Sequence, residues 1–182
     1  MAQKEWLSQD RKRRVLKMIK IISEKIPRIV RNRKKLEKEL EIKITNRGKE
    51  VFLEGMPEKE YEAEKVIEAI NFGFPYSHAI LIKEEGFVLE ILNIKEYTKR
   101  KDLATIRARI IGKNGKTLKT LSELTKCFFE LKDNNVGIIG DSERIQNAQE
   151  AIISLVKGTK QSNVYSFLEK RQPKPIIDLG LK

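Results

Sequence analysis

The chain matches itself. Shifted by 85 positions, Val51-Phe52-Leu53-Glu54-Gly55 lies on Val136-Gly137-Ile138-Ile139-Gly140, and the stripe Ala63, Val66, Ile67, Ile70 lies on Ala148, Ala151, Ile152, Leu155. Apolar residues three and four apart predict a helix in both copies. Before it, Ile42 and Ile44 of an alternating run fall on Cys127 and Phe129, which predicts a strand. A diverged repeat of this size within 182 residues points to two small domains on one plan, each long enough to bury its own core.

Extending the plan upstream gives the order β-α-α-β-β-α in each half, an α+β fold with two three-stranded antiparallel sheets, each packed on three helices. In the first half the strand is expected over 15–22, a short helix over 23–29 and a second helix over 34–40. In the second half the strand is expected over 87–94, followed by a basic turn over 95–101, a helix over 103–111 and another from Gly115 to Lys126. Asn46-Arg47-Gly48 and Asp133-Asn134-Asn135 carry the hairpin turns. The domains read as a basic extension over 1–14, a first repeat over 15–84, a second over 85–160, and a C-terminal helix and tail over 161–182. Pro75 to Lys83 reads as a short helix joining the halves, with Ala79, Ile80 and Ile82 packing the two domains together. Ser162 to Arg171 reads as a last helix burying Val164, Phe167 and Leu168. The apolar tail around Ile176 and Leu179 is expected to dock on a partner or on the domain itself.

Lys plus Arg number 38 against 26 Asp plus Glu, a net charge of +12, which favours a polyanionic partner or an acidic membrane surface over a neutral one. A basic surface serving only solubility is the plainer alternative. No stretch approaches the roughly 20 apolar residues of a membrane span, and Met1 to Arg14 lacks the apolar run of a signal peptide. The single cysteine, Cys127, sits in an apolar run and fits a reducing interior, so a cytoplasmic protein is expected. One His and one Cys leave little material for a metal site or a nucleophile, so no cofactor and no enzyme is expected. His78 reads as an ordinary structural residue, and Asp133 and Asp141 as a turn residue and a helix cap.

Ile110-Ile111-Gly112-Lys113-Asn114-Gly115-Lys116 stands where one helix must stop and the next begin. Two glycines there permit the turn and, having no Cβ, let a nucleic-acid backbone approach the main chain. The start of the following helix adds free amides and the positive end of its dipole, which favour phosphate oxygens. A glycine-bounded basic loop inside β-α-α-β-β-α is the loop of the type I KH module, which clamps four nucleotides of a single strand. Its Gly112, Lys113, Asn114 and Gly115, with Lys116 and Lys119 beyond, are the candidate phosphate contacts. The bases of such a strand lie in an apolar groove between the helix before the loop and the strand after it, making Ile110, Ile111, Phe128 and Phe129 the candidate walls. Only every second residue of that strand can face the groove. Arg107 and Arg109 either reach phosphates and bases or are solvated surface charge; both readings stay open.

In the first repeat, aligning the loop directly puts Val30 and Arg33 where the glycines would stand. That half lacks the glycine loop. Arg31, Arg33, Lys34 and Lys35 keep charge for RNA, but an architectural or partner-binding role is favoured.

With two such repeats, and with Arg109-Ile110-Ile111-Gly112-Lys113-Asn114-Gly115-Lys116-Thr117, Glu123-Leu124-Thr125 and Asn163-Val164-Tyr165-Ser166-Phe167-Leu168-Glu169, the chain resembles the archaeal and eukaryotic Dim-two, or partner-of-Nob, family of ribosome-assembly proteins. The resemblance covers roughly residues 16 to 171. It implies a single-stranded RNA-binding factor acting near the 3′ end of small-subunit rRNA during processing, beside the endonuclease that trims that end and the rRNA dimethyltransferase. It also implies that the second KH domain holds the RNA. The alternative is a protein adaptor that recruits maturation or translation factors with only nonspecific RNA affinity.

Overall fold

The offset of 85 recurs in the folded elements. The computed structural model describes residues 19–172, which divide between Glu85 and Gly86 into two units. The first contains β1 (Ile19–Ile22), α1 (Ile26–Leu40), β2 (Lys43–Arg47), β3 (Glu50–Glu54), α2 (Pro57–Phe72) and the short α3 (Tyr76–Ala79), which runs into a 3-10 turn at Ile80–Lys83. The second contains β4 (Phe87–Asn93), a 3-10 turn (Ile94–Tyr97), α4 (Leu103–Ile111), a tight turn at Lys113–Gly115, α5 (Lys116–Thr125), β5 (Phe128–Lys132), β6 (Asn135–Asp141), α6 (Ser142–Lys157) and α7 (Gln161–Arg171). β2 and β5, and likewise α2 and α6, begin and end 85 residues apart.

Each sheet is antiparallel with the last strand in the middle, in the orders β1-β3-β2 and β4-β6-β5. The central strand is the one that the repeat detects most clearly, because it is flanked on both edges and must be apolar. One packing detail is repeated too. A Cβ on Gly55 would lie 2.8 Å from the Cγ2 of Ile42, and one on Gly140 would lie 2.4 Å from the Sγ of Cys127. These are equivalent pairs, so in both units the chain leaving the central strand crosses directly over the residue that precedes the edge strand. Only glycine leaves room. Cys127 is buried, and burial pushes its thiol pKa up.

Leu36 and Leu121 are equivalent fully buried anchors on the helix that enters each hairpin; truncating either to Ala costs about 2–5 kcal/mol. That helix ends at equivalent points, Leu40 and Thr125, followed by Glu41 and Lys126, both left-handed. Upstream the separation shrinks to 71, with Ile22 matching Asn93. The second unit therefore holds 14 residues more between its first strand and this helix end.

Here the first unit departs from expectation. Instead of two helices around a loop it has the single 15-residue helix α1. Pro27 suits the first turn, and no glycine interrupts Arg31-Asn32-Arg33-Lys34-Lys35. Ile29, Leu36 and Leu40, at helical spacing, bury one continuous face. Ser23 and Asn71 fix its entry: Ser23 Oγ donates to Asn71 Oδ1 at 3.1 Å and Glu24 N donates to the same oxygen at 3.0 Å.

The hairpin turns are Gly48-Lys49 and Asp133-Asn134, two-residue turns opening on a positive φ of 59° and 54°. Asn46 and Arg47 thus belong to β2, and Asn135 to β6. The segment over 75–83 is built into the first unit. It packs on α2, with Ala79 buried and Ile80 and Ile82 only partly so, while Lys83 pairs with Glu39 of α1. His78, half-buried there, has its pKa pushed down by burial. In α7, Val164 and Leu168 are buried as expected, whereas Phe167 is half-buried beneath the Arg171 guanidinium, 4.1 Å from its ring centroid. The expected extension over 1–14, the strand residues over 15–18 and the apolar tail lie outside the described residues.

Candidate nucleic-acid interface

Asp102 caps α4: one carboxylate oxygen accepts from Thr105 N at 3.2 Å, the other from Thr105 Oγ1. The Thr105 hydroxyl and amide together hold the Asp102 carboxyl below its usual pKa. After nine helical residues α4 stops at Gly112, with φ 74° and ψ 173°. A Cβ on Gly112 would sit 2.1 Å from Thr117 Oγ1 and 2.8 Å from Thr117 N, so no side chain fits. Asn114 and Gly115 follow, both left-handed, with Gly115 N donating to Gly112 O at 3.2 Å. A Cβ on Gly115 would meet nothing within 4 Å. The two glycines thus have different work. Gly112 allows the loop to close on α5, and Gly115 supplies the left-handed turn while leaving the outer side open.

Lys113, Asn114, Lys116 and Lys119 are exposed on this loop and on the first turn of α5. Lys116 N, the first amide of α5, bonds back to Lys113 O in the tight turn, so what gathers at this backbone approach is the positive end of α5 and the exposed lysines.

The loop is braced from behind by α7. Gln161 Nε2 donates to Thr117 Oγ1 at 2.9 Å and to Arg109 O at 3.2 Å. In return Arg109 Nη2 donates to Gly158 O at 2.9 Å and to Thr159 O, at the C-terminus of α6. Arg109 therefore holds α4 to the α6–α7 junction through Nη2. Arg107 Nη1 donates to Asn134 Oδ1 at 2.6 Å, tying α4 to the β5–β6 turn. That turn is also held by Ile94 N donating to Asn134 O at 2.8 Å.

Of the expected apolar walls, Ile111 is 36% exposed beside the loop, but Ile110 is fully buried in the core and cannot touch a base. Cys127, just before β5, and Phe129 and Leu131 on it face the helices and pack on the core. Alternation puts Phe128 on the opposite face of the sheet, away from the loop. Thr117 and Gln161 were not legible as site residues: a threonine on a first helical turn and a glutamine in an extension carry no local signal. Among the described residues no group of His, Cys, Asp and Glu could hold a metal ion, and no helix is long and apolar enough to cross a membrane.

A glycine loop between two helices, on a three-stranded antiparallel sheet with the last strand central, defines a KH domain. Residues 88–173 match the profile of the second KH domain of PNO1, a eukaryotic type KH-domain of type I. The chain is 30% identical over 115 residues to a KH domain-containing protein of Methanocaldococcus jannaschii, covering 63% of this chain and 51% of that one. It is 29% identical over 113 residues to the pre-rRNA-processing protein pno1 of Aspergillus oryzae, covering 60% and 44%. The chain spans about half the length of these curated relatives. Among solved structures, Dim2p from Pyrococcus horikoshii superposes with a TM-score of 0.77 at 28% identity, covering 85% of this chain and 99% of that one. Dim2p from the same organism, in a structure of an a/eIF2alpha-aDim2p-rRNA complex, gives 0.76 at 27% identity, covering 85% and 93%. The chain is a homologue of the Dim2 and PNO1 proteins and carries their type of KH domain.

Proposed function

We propose that the chain is a tandem KH protein that binds single-stranded RNA in the 3′ region of small-subunit rRNA through its second unit, and acts in pre-rRNA processing and small-subunit assembly. The observation that carries this reading is the loop at Gly112 to Gly115: a side chain is excluded at Gly112, the outer side of Gly115 is open, and the surrounding cations Lys113, Lys116 and Lys119 are exposed. Support comes from the relatives named for pre-rRNA processing and from the rRNA complex of the Pyrococcus protein. In this reading Lys113, Lys116 and Lys119 meet phosphates, Asn114 lies at the backbone, and Ile111, Phe129 and Leu131 line the base groove. The first unit, with the same strand order and no glycine loop, is a degenerate KH domain. The chain acts by binding, in the cytoplasm, with no reaction of its own; the endonuclease and the dimethyltransferase of rRNA maturation are its neighbours.

Binding of a short single strand should weaken with salt at a slope of about −0.7 per neutralised phosphate, so about four contacts give a slope near −3. A salt-independent affinity would refute the reading. A second reading, an adaptor between RNA and a protein factor, is favoured by the Pyrococcus complex, which holds a translation factor subunit together with rRNA. Factor binding that survives loss of RNA binding would support that role.

A further inference from the structure

The folded register changes what the first unit can do. Because α1 and α5 end at the equivalent residues Leu40 and Thr125 and both run back from there without interruption, the offset of 85 extends through them. It puts Pro27 and Val30, not Val30 and Arg33, where Gly112 and Gly115 stand. Ile29, buried in the core of the first unit, replaces exposed Asn114. The same register puts Arg31 on Lys116 and Lys34 on Lys119. The first unit has lost the glycine loop and kept the two cations beyond it.

These cations belong to a larger stripe. Arg31, Lys34, Lys35 and Lys38 recur at helical spacing on the side of α1 opposite the buried Ile29, Leu36 and Leu40, and all four are exposed. The acids of the same helix are engaged elsewhere: Glu37 accepts from Arg33 at 3.0 Å and from Ile44 N at 2.9 Å, and Glu39 pairs with Lys83. Lys35 lies 6.0 Å from the centroid of the Tyr76 ring. Among the described residues, Arg31, Lys34 and Lys38 form no ion pair, Lys38 acting on Glu39 only through its nearby charge, over a rise of about 10 Å along the helix.

We propose that this stripe is a second RNA contact, which grips the phosphodiester backbone by charge alone. With Val30 in place of a glycine and an unbroken helix in place of a loop, nothing there admits the close main-chain approach of a clamp. The contact is therefore electrostatic and indifferent to base sequence. It rests on the reading that the chain is an RNA-binding protein, and it adds a separate footprint to that of the glycine loop.

The test uses the full chain and a single-stranded RNA of about 20 nucleotides, titrated at several salt concentrations. Four proteins are compared: wild type, Arg31→Gln/Lys34→Gln/Lys38→Gln, Lys113→Asp/Asn114→Asp, and the combination. Thermal unfolding provides the fold control; all the changed side chains are exposed. Removing three phosphate contacts should make the salt slope shallower by about 2, equally for matched and scrambled sequences. The loop variant should retain weak, sequence-indifferent binding that the combined variant loses. An unchanged slope in the triple Gln variant, or no residual binding in the loop variant, overturns the proposal and leaves the loop reading standing. Binding that depends on α1 but never on the loop sinks the loop reading instead. A triple Gln variant that keeps RNA binding but loses an acidic protein partner assigns the stripe to protein and also overturns the proposal.

Discussion

Gln161 donates from its side-chain amide to the hydroxyl of Thr117 at 2.9 Å, across 44 residues of sequence. Thr117 is buried, and it is the residue on which Gly112 closes. The chain α7, Gln161, Thr117, Gly112 makes the C-terminal helix a support for the loop. Gln161→Ala should destabilise the chain by about 1–2 kcal/mol, from two lost hydrogen bonds and a buried hydroxyl left without that donor. It should also weaken RNA binding although no exposed charge changes. Urea unfolding and RNA titration of the same variant check both effects.

The two glycines should respond differently to alanine. Gly115→Ala meets open space and costs about 1 kcal/mol for the left-handed backbone. Gly112→Ala must also displace Thr117 and should cost clearly more. Adding Thr117→Ala should not rescue it, because the amide nitrogen of residue 117 itself lies 2.8 Å from the new Cβ. Full recovery in the double variant, read by thermal unfolding, would show that the hydroxyl alone excludes the side chain.

Arg109, near the end of α4, and Lys113, on the loop, are both cations beside the same turn and should separate by readout. Arg109→Ala removes bonds to two carbonyls at the α6–α7 junction and should lower stability by about 1.5–3 kcal/mol. Lys113→Ala, on an exposed side chain, should leave the unfolding midpoint unchanged and weaken RNA binding. Calorimetry beside binding titration separates the two.

Glu37 gives the first unit an acid-sensitive element. Desolvation, the largest single influence, raises its pKa, but the Ile44 amide, the Arg33 hydrogen bond and charge, and Lys43 together lower it. A carboxyl whose folded pKa lies below its unfolded value stabilises above the unfolded pKa, near 4.5, and loses that contribution as pH falls through the folded pKa. Stability should therefore decline on acidification below about pH 4.5, and Glu37→Gln should flatten that part of the profile. Denaturant unfolding at several pH values measures it.

Much of this was legible in the sequence. The offset read from Val51 and Val136 carries through β2, β3 and α2 because those elements are dictated by apolar periodicity, and the loop at Gly112 was legible because glycines and lysines there have no packing role to obscure them. The helices of the first unit are not legible from the loop region alone; the offset carried upstream places Pro27 and Val30 at the glycine positions and leaves no loop to find. Ile110 and Ile111 are chemically alike, and only the helical phase of α4 decides which is core. Arg109 and Gln161 could not be assigned, since their partners are carbonyls and a hydroxyl brought close by the fold of the second unit.

The central claim is that the glycine loop of the second unit reads RNA. The most direct test is binding of a short single strand with the 3′ sequence of mature small-subunit rRNA, beside a scrambled strand, to wild type and to Lys113→Asp/Asn114→Asp. Selective binding by wild type that is lost in the double variant is the predicted result. Equal binding of both strands, unaffected by the double variant, would contradict it and leave a basic surface without a reader.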